Sequence, residues 1–120
     1  RHLNKFFYKE NSRRKSMNNE DLQMAAFGII LSSGNARTIV HEAFAAMREG
    51  RYDEAEELLE TANADILEAH HSQTGLLQEY ASGTEINVEI IMVHAQDHLM
   101  TTMTLREVAL EMLALYRKVA

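Results

Sequence analysis

From Asn19 onward, small and apolar residues recur at alternating steps of four and three: Leu22, Ala26, Ile29, Ser33, Ala36, Val40, Ala43 and Met47. That period holds one stripe on one face of an α-helix, and it predicts a first helix over 19–49. Ser32-Ser33-Gly34-Asn35 lies inside the stripe, where it could end a helix, kink one or let a neighbour approach closely; the unbroken spacing favours one continuous element. Gly50 reads as a helix stop. Asp53, followed by Glu56, reads as a carboxylate cap opening a second helix, its acids suited to the positive helix end. The second stripe is Ala55, Leu59, Ala62, Ile66, Ala69, Gln73, Leu76 and Tyr80, and Ser82-Gly83-Thr84 closes it. Gln73 breaks an apolar seam, as register-setting or solvent-reaching amides do more often than catalytic ones. A third helix is expected from near Val88 to the C-terminus, with a seam through Met92, Ala95, Leu99, Thr102, Ala109, Leu113 and Tyr116.

The third helix carries a second seam on another face: Ile90, Val93, Asp97, Met100, Thr104 and Val108. Two antiparallel neighbours cannot cover both faces, and a long apolar stripe left in water is costly. Self-association is the economical answer, with copies of this helix meeting around a symmetry axis and Asp97 in the middle.

Composition supports this all-α reading of three long antiparallel helices. The 120 residues are 46% hydrophobic, with no Pro and five Gly, enough for one core and too few for two domains. The absence of Cys excludes disulfides, thiolate metal sites and a cysteine nucleophile. No apolar run approaches the roughly 20 residues that span a bilayer, and no apolar signal core opens the chain, so a cytoplasmic protein without membrane insertion is expected. Residues 1–16 hold six Lys/Arg against Glu10, a net +5 within a total of −6, which leaves −11 on the remainder. The basic stretch precedes Met17 and is read as a disordered or artificial leader to a single domain over 17–120. So acidic a body argues against nucleic-acid binding.

One reactive cluster stands out: His94-Ala95-Gln96-Asp97-His98. His94 and His98 are one helical turn apart on the same face. Two such imidazoles could share a zinc ion, although the metalloprotease motif fails because Ala95 occupies the general-base position. Alternatively a neutral ring nitrogen could attack phosphorus while an acceptor holds the other nitrogen's hydrogen, with His98 or Gln96 orienting or stabilising. Spacing alone equally allows the bland reading, two satisfied surface histidines of a bundle. Asp97 is sharper, because a carboxylate in an apolar seam must be paired, protonated or bound to a cation. In a trimer, three like-charge pairs at about 4 Å and an effective dielectric near 20 would cost about 12 kcal/mol unless offset, and a hard divalent ion such as magnesium suits oxygen donors. His41 reads as a solvated residue, and the adjacent His70 and His71 point in different directions.

At this point a resemblance is visible. Val93-His94-Ala95-Gln96-Asp97-His98-Leu99-Met100-Thr101-Thr102-Met103 resembles the active-site segment of the lactose/cellobiose family of enzyme IIA of the bacterial sugar phosphotransferase system. Ser33-Gly34-Asn35-Ala36-Arg37, Glu68-Ala69-His70 and Gln73-Thr74 support it, and it covers about residues 20–120. The resemblance implies a homotrimer of three-helix subunits. It implies a phosphoryl group taken from the phosphohistidine of HPr onto His94, at Nε2, and passed to a cysteine of enzyme IIB, in functional linkage with a membrane IIC component. Asp97 matches the family aspartate that gathers around a divalent metal ion at the three-fold axis, while His98 and Gln96 match positions that shape the site. Ala95, where some lactose-type members have Gly, inclines the substrate toward cellobiose or chitobiose.

Two rivals belong to other classes. Gly50-Arg51-Tyr52-Asp53-Glu54-Ala55-Glu56 resembles the turn of a tetratricopeptide repeat, but no second copy follows at about 34 residues and the helices are too long. A histidine-metal protein would instead bind zinc through His94 and His98.

Overall fold

The structure is a computed structural model, and it describes residues 15–120. Three helices of equal length follow one another: α1 (Asn19–Arg48), α2 (Tyr52–Ala81) and α3 (Ile90–Val119). Arg117, in the last turn of α3, reaches Asp53 at the start of α2. Gln23, near the start of α1, donates to Glu89, just before α3. The bundle therefore runs up, down, up, with α2 antiparallel to both neighbours and α1 parallel to α3.

The expected seams form the core. Ala26, Ile29, Ala36, Val40 and Ala43 of α1, Ala55, Leu59 and Ala62 of α2, and Ala95, Leu99 and Ala109 of α3 are fully buried. Alanine at so many contacts lets the helix axes approach closely, and the larger Ile29, Met47, Leu59 and Leu99 fill the layers between. The Ser32–Asn35 stretch does not interrupt α1; Ser33 is buried within the seam.

Helix ends differ from expectation at the starts of α2 and α3. Asn18 caps α1 by accepting the N–H of Glu20 at 2.8 Å, as an Asn before a helix should. Asp53 does not cap α2. The helix starts at Tyr52, with Arg51 in the cap position and no side-chain cap, because Tyr52 is drawn in against Tyr116, ring centroids 6.1 Å apart. Asp53 and Glu56 serve instead as partners of Arg117, at 3.1 and 3.3 Å. Val88 lies outside α3 and is exposed; the segment before it pairs with the chain ahead of α1, Glu85 N–H donating to Lys15 O and Met17 N–H to Glu85 O. Tyr80, placed in the second stripe, is likewise exposed. Both turns close through left-handed glycines, Gly50 at φ 78° and Gly83 at φ 100°, after which Arg51 N–H bonds back to Ala46 O and Thr84 N–H to Glu79 O.

The leader expected over 1–16 falls outside the described residues except at its end, where Lys15 and Ser16 are held against Glu85. No helix among the described residues is long and apolar enough to cross a membrane.

Candidate functional site

The middle of α3 presents different faces to its two neighbours. Gln73 of α2 comes to Met100, its Nε2 3.5 Å from the sulfur. On the opposite flank α1 meets α3 through Ser33 and Arg37, one turn apart, which reach His98 and Thr101. His94 stands exposed on α3 one turn before His98, the two rings 6.0 Å apart between centroids and inclined by 59°. The structure thus brings together the two sequence-predicted histidines and makes them unlike: one open to a partner, the other half-buried between helices.

His98 is fixed by α1. Ser33 Oγ lies 2.7 Å from His98 Nδ1 and 2.6 Å from Ile29 O, and Ser33 is fully buried. On the far side, the Arg37 guanidinium donates to Thr101 Oγ1 at 2.8 Å, and Thr101 in turn donates to Asp97 O at 2.8 Å. Arg37 Nε is buried without a protein partner among the described residues. Burial first, then the charge of Arg37 and the proximity of His94, hold the His98 imidazole below its ordinary range, against a smaller opposing pull from Asp97. His98 is therefore a neutral ring near pH 7.

Two other predicted residues stand apart from this pair. Asp97 is exposed on the second seam with Val93, Met100 and Val108. Gln96 turns to the α2 flank, where it lines an apolar groove with Leu76, Tyr80, Ile86 and Met92; within one subunit it is not brought to His94. Among the described residues no three His, Cys, Asp or Glu side chains are placed to hold a metal ion. His41, His70 and His71 are exposed.

Ser33 and Arg37 are the members that reading the sequence did not assign. Ser33 gave a signal, since a hydroxyl at a buried seam position needs a partner. Arg37 gave only its place in a stretch that supports the family resemblance, because its target on α3 is set by the helix crossing.

An exposed imidazole beside a neutral, anchored one is suited to nucleophilic group transfer. Comparison with known proteins agrees: the model of the family described as "PTS system, Lactose/Cellobiose specific IIA subunit" matches residues 24–117. The chain belongs to this enzyme IIA family. It is 43% identical over 101 residues to the lichenan-specific phosphotransferase enzyme IIA component of Bacillus subtilis (strain 168), covering 84% of this chain and 92% of that protein. The crystal structure of PtcA from S. mutans superposes with a TM-score of 0.84 at 73% identity, over 84% of this chain and 99% of that one. The IIA(Chitobiose) subunit of Escherichia coli, solved in complex with HPr, superposes with a TM-score of 0.70 at 31% identity, over 82% of this chain and 95% of that one. The chain is thus a phosphotransferase-system IIA component of lactose/cellobiose type, and the three-helix bundle is the IIA fold.

Proposed function

We propose that His94 is the phosphoryl carrier: it accepts the group from the phosphohistidine of HPr and passes it to a cysteine of enzyme IIB, for uptake of a disaccharide of cellobiose, chitobiose or lactose type through a membrane IIC component. The observation that carries this reading is the contrast between exposed His94 and anchored His98 on one face of α3. A carrier must present the same nitrogen to two proteins in turn, which demands exposure. In-line transfer between nitrogens through a loose transition state asks for positioning and charge stabilisation more than for acid–base chemistry. The solved HPr complex of the chitobiose relative supports the donor assignment. With a net charge of −11 outside residues 1–16, electrostatic steering favours a basic partner face. The reaction belongs in the cytoplasm, where phosphoenolpyruvate feeds the system.

The second seam supports a homotrimer in which α3 packs around a three-fold axis. Asp97 fits a shared ion only in that setting: alone it offers one carboxylate, whereas three copies offer a set of oxygen donors suited to magnesium or another hard divalent cation. There the ion offsets the mutual repulsion of the carboxylates. Gln96, remote from His94 of its own subunit, joins a site only across a subunit boundary.

The deciding experiment is intact mass under neutral to basic conditions after incubation with phosphoenolpyruvate, enzyme I and HPr, comparing the parent with His94→Ala. One acid-labile phosphoryl group on the parent alone is expected; a group retained by His94→Ala would place the carrier elsewhere.

A further inference from the structure

The contacts of Ser33 determine where the hydrogens of His98 sit. Its oxygen is 2.6 Å from Ile29 O and 2.7 Å from His98 Nδ1, and each separation needs a hydrogen between the two heavy atoms, since lone pair against lone pair at that distance is repulsive. A serine hydroxyl has one hydrogen to give. If it goes to Ile29 O, as the backward bond of a helical serine to the carbonyl one turn earlier does, the second hydrogen must come from Nδ1 of His98. The reverse arrangement leaves Ser33 Oγ and Ile29 O in contact with no hydrogen between them. In this geometry a neutral His98 ring carries its hydrogen on Nδ1, and its Nε2 is a bare lone pair.

The fold also says where that lone pair lies. Cε1, between the two nitrogens, is 4.0 Å from where a Cβ on Gly34 would stand, so the Nδ1–Cε1 edge rests on α1. Side chains on a helix lean toward its N-terminus, which carries the far end of His98 over the turn of His94. The exposed His94 ring stands on that turn, 6.0 Å away between centroids.

We propose, on the basis of the carrier reading above, that Ser33 is a positioning residue for phosphoryl transfer: it fixes His98 as the Nδ1–H imidazole, whose bare Nε2 accepts the Nδ1–H of His94 and leaves the His94 Nε2 lone pair free to attack phosphorus. The chain of donors runs from His94 Nδ1–H to His98, from His98 Nδ1–H to Ser33, and from Ser33 Oγ–H to Ile29 O. In the transfer the new bond forms between His94 Nε2 and phosphorus. The donor's nitrogen–phosphorus bond breaks, and its electron pair returns to the donor ring. The positive character that leaves the donor imidazolium appears on the His94 ring, where the hydrogen bond from Nδ1 to His98 stabilises it; no proton has to leave either ring.

The test is long-range proton–nitrogen NMR on the full chain with nitrogen-15 histidine, at neutral to basic pH before phosphorylation, alongside the rate of phosphoryl acceptance from phospho-HPr, for the parent, Ser33→Ala and Ser33→Thr. The parent should show His98 protonated at Nδ1 and bare at Nε2. Ser33→Ala should shift His98 toward the Nε2–H form and slow acceptance by about ten- to a hundredfold, the range met when a group that orients a histidine is removed, mainly in kcat; Ser33→Thr, which keeps the hydroxyl, should restore both. An Nε2–H form of His98 in the parent would overturn the proposal, and so would unchanged acceptance in Ser33→Ala despite the tautomer shift. Loss of rate in both variants with no tautomer change would reduce Ser33 to a packing residue and overturn it too. Failure of the parent to take phosphate on His94 would overturn the carrier reading as well, whereas normal loading of parent and Ser33→Ala alike sinks the relay alone.

Discussion

Val108 offers a test of the second seam free of the site. It lies fourteen residues past His94, about 21 Å along the helix at about 1.5 Å per residue, and it keeps 47% of its surface in water within one subunit. Val108→Ser deletes the apolar end of the side chain at little cost to helix propensity, and at a solvent-facing position its effect on subunit stability should stay within about 0.5 kcal/mol. In a trimer the outcome differs. Complete burial of such a side chain is worth about 1.5–3 kcal/mol, so covering the exposed half contributes about 1 kcal/mol per subunit. Three subunits make that about 3 kcal/mol, or about a hundredfold in the association constant. Sedimentation equilibrium over a dilution series reads this directly: parent and variant should share a trimeric end state, with the variant's dissociation shifted to higher concentration. A parent that stays monomeric at micromolar concentration, or a variant with an unchanged constant, would refute the packing of α3 on its own copies.

Three further outcomes follow from the same geometry. Leu99→Ala, at a fully buried position beside His98, should cost about 2–5 kcal/mol through lost burial and an unfilled cavity, seen as a fall in melting temperature on the order of 10–25 °C; a fall of only a degree or two would mean that the layer collapses around the gap. Arg37→Gln removes the second cause of the depressed His98 titration and should raise its NMR midpoint toward the ordinary imidazole value, while an unchanged midpoint would leave burial and the nearby His94 as the causes. The sign for stability is that the unfolded chain takes up this proton first as pH falls below about 6.5, so the contribution of neutral His98 is complete above that value and is lost as pH falls through the lower folded one. Asp97→Leu should keep or strengthen the trimer and remove its response to chelators, and collapse of the assembly would show that the carboxylates themselves are required for it.

Most of the fold was legible because α-helical periodicity is a local signal. The stripes of α1 and α2 could be read directly from residue spacing, and Ser33 and Gln73 are buried as their seam positions required. What escaped depends on contacts distant in sequence. Asp53 has the composition of a cap, but Arg117, sixty-four residues away, claims it. Val88 fits the α3 seam, yet the pairing of Glu85 with the chain before α1 keeps that stretch extended. A second apolar stripe on α1, with Met24, Phe27 and Leu31 exposed opposite its core face, is masked in the sequence by the stronger core stripe of the same window. At the site, spacing paired His94 with His98, but it could not show which of them α1 covers. Gln96 sits two residues from both and faces the other flank, a separation that motif proximity conceals and that the 3.6-residue period explains.

The division between the two histidines follows from a conflict in what a carrier must do. The nitrogen that exchanges phosphate with two proteins has to reach the surface, and at the surface an imidazole samples rotamers, tautomers and water partners freely. Control over its reactive form must therefore come from a neighbour that is itself held. In the proposed relay His98 would meet that need, its own freedom removed one layer further in by a serine buried at 0% exposure whose hydroxyl is committed to the backbone of α1. The same argument explains why the partner is a histidine rather than a carboxylate. An ionised Asp there would add a negative charge beside an incoming phosphoryl group, whereas a neutral imidazole accepts the hydrogen bond without repelling it. Asp97, the carboxylate in the motif, is displaced one position round the helix onto the second seam, away from the face that His94 shares with His98.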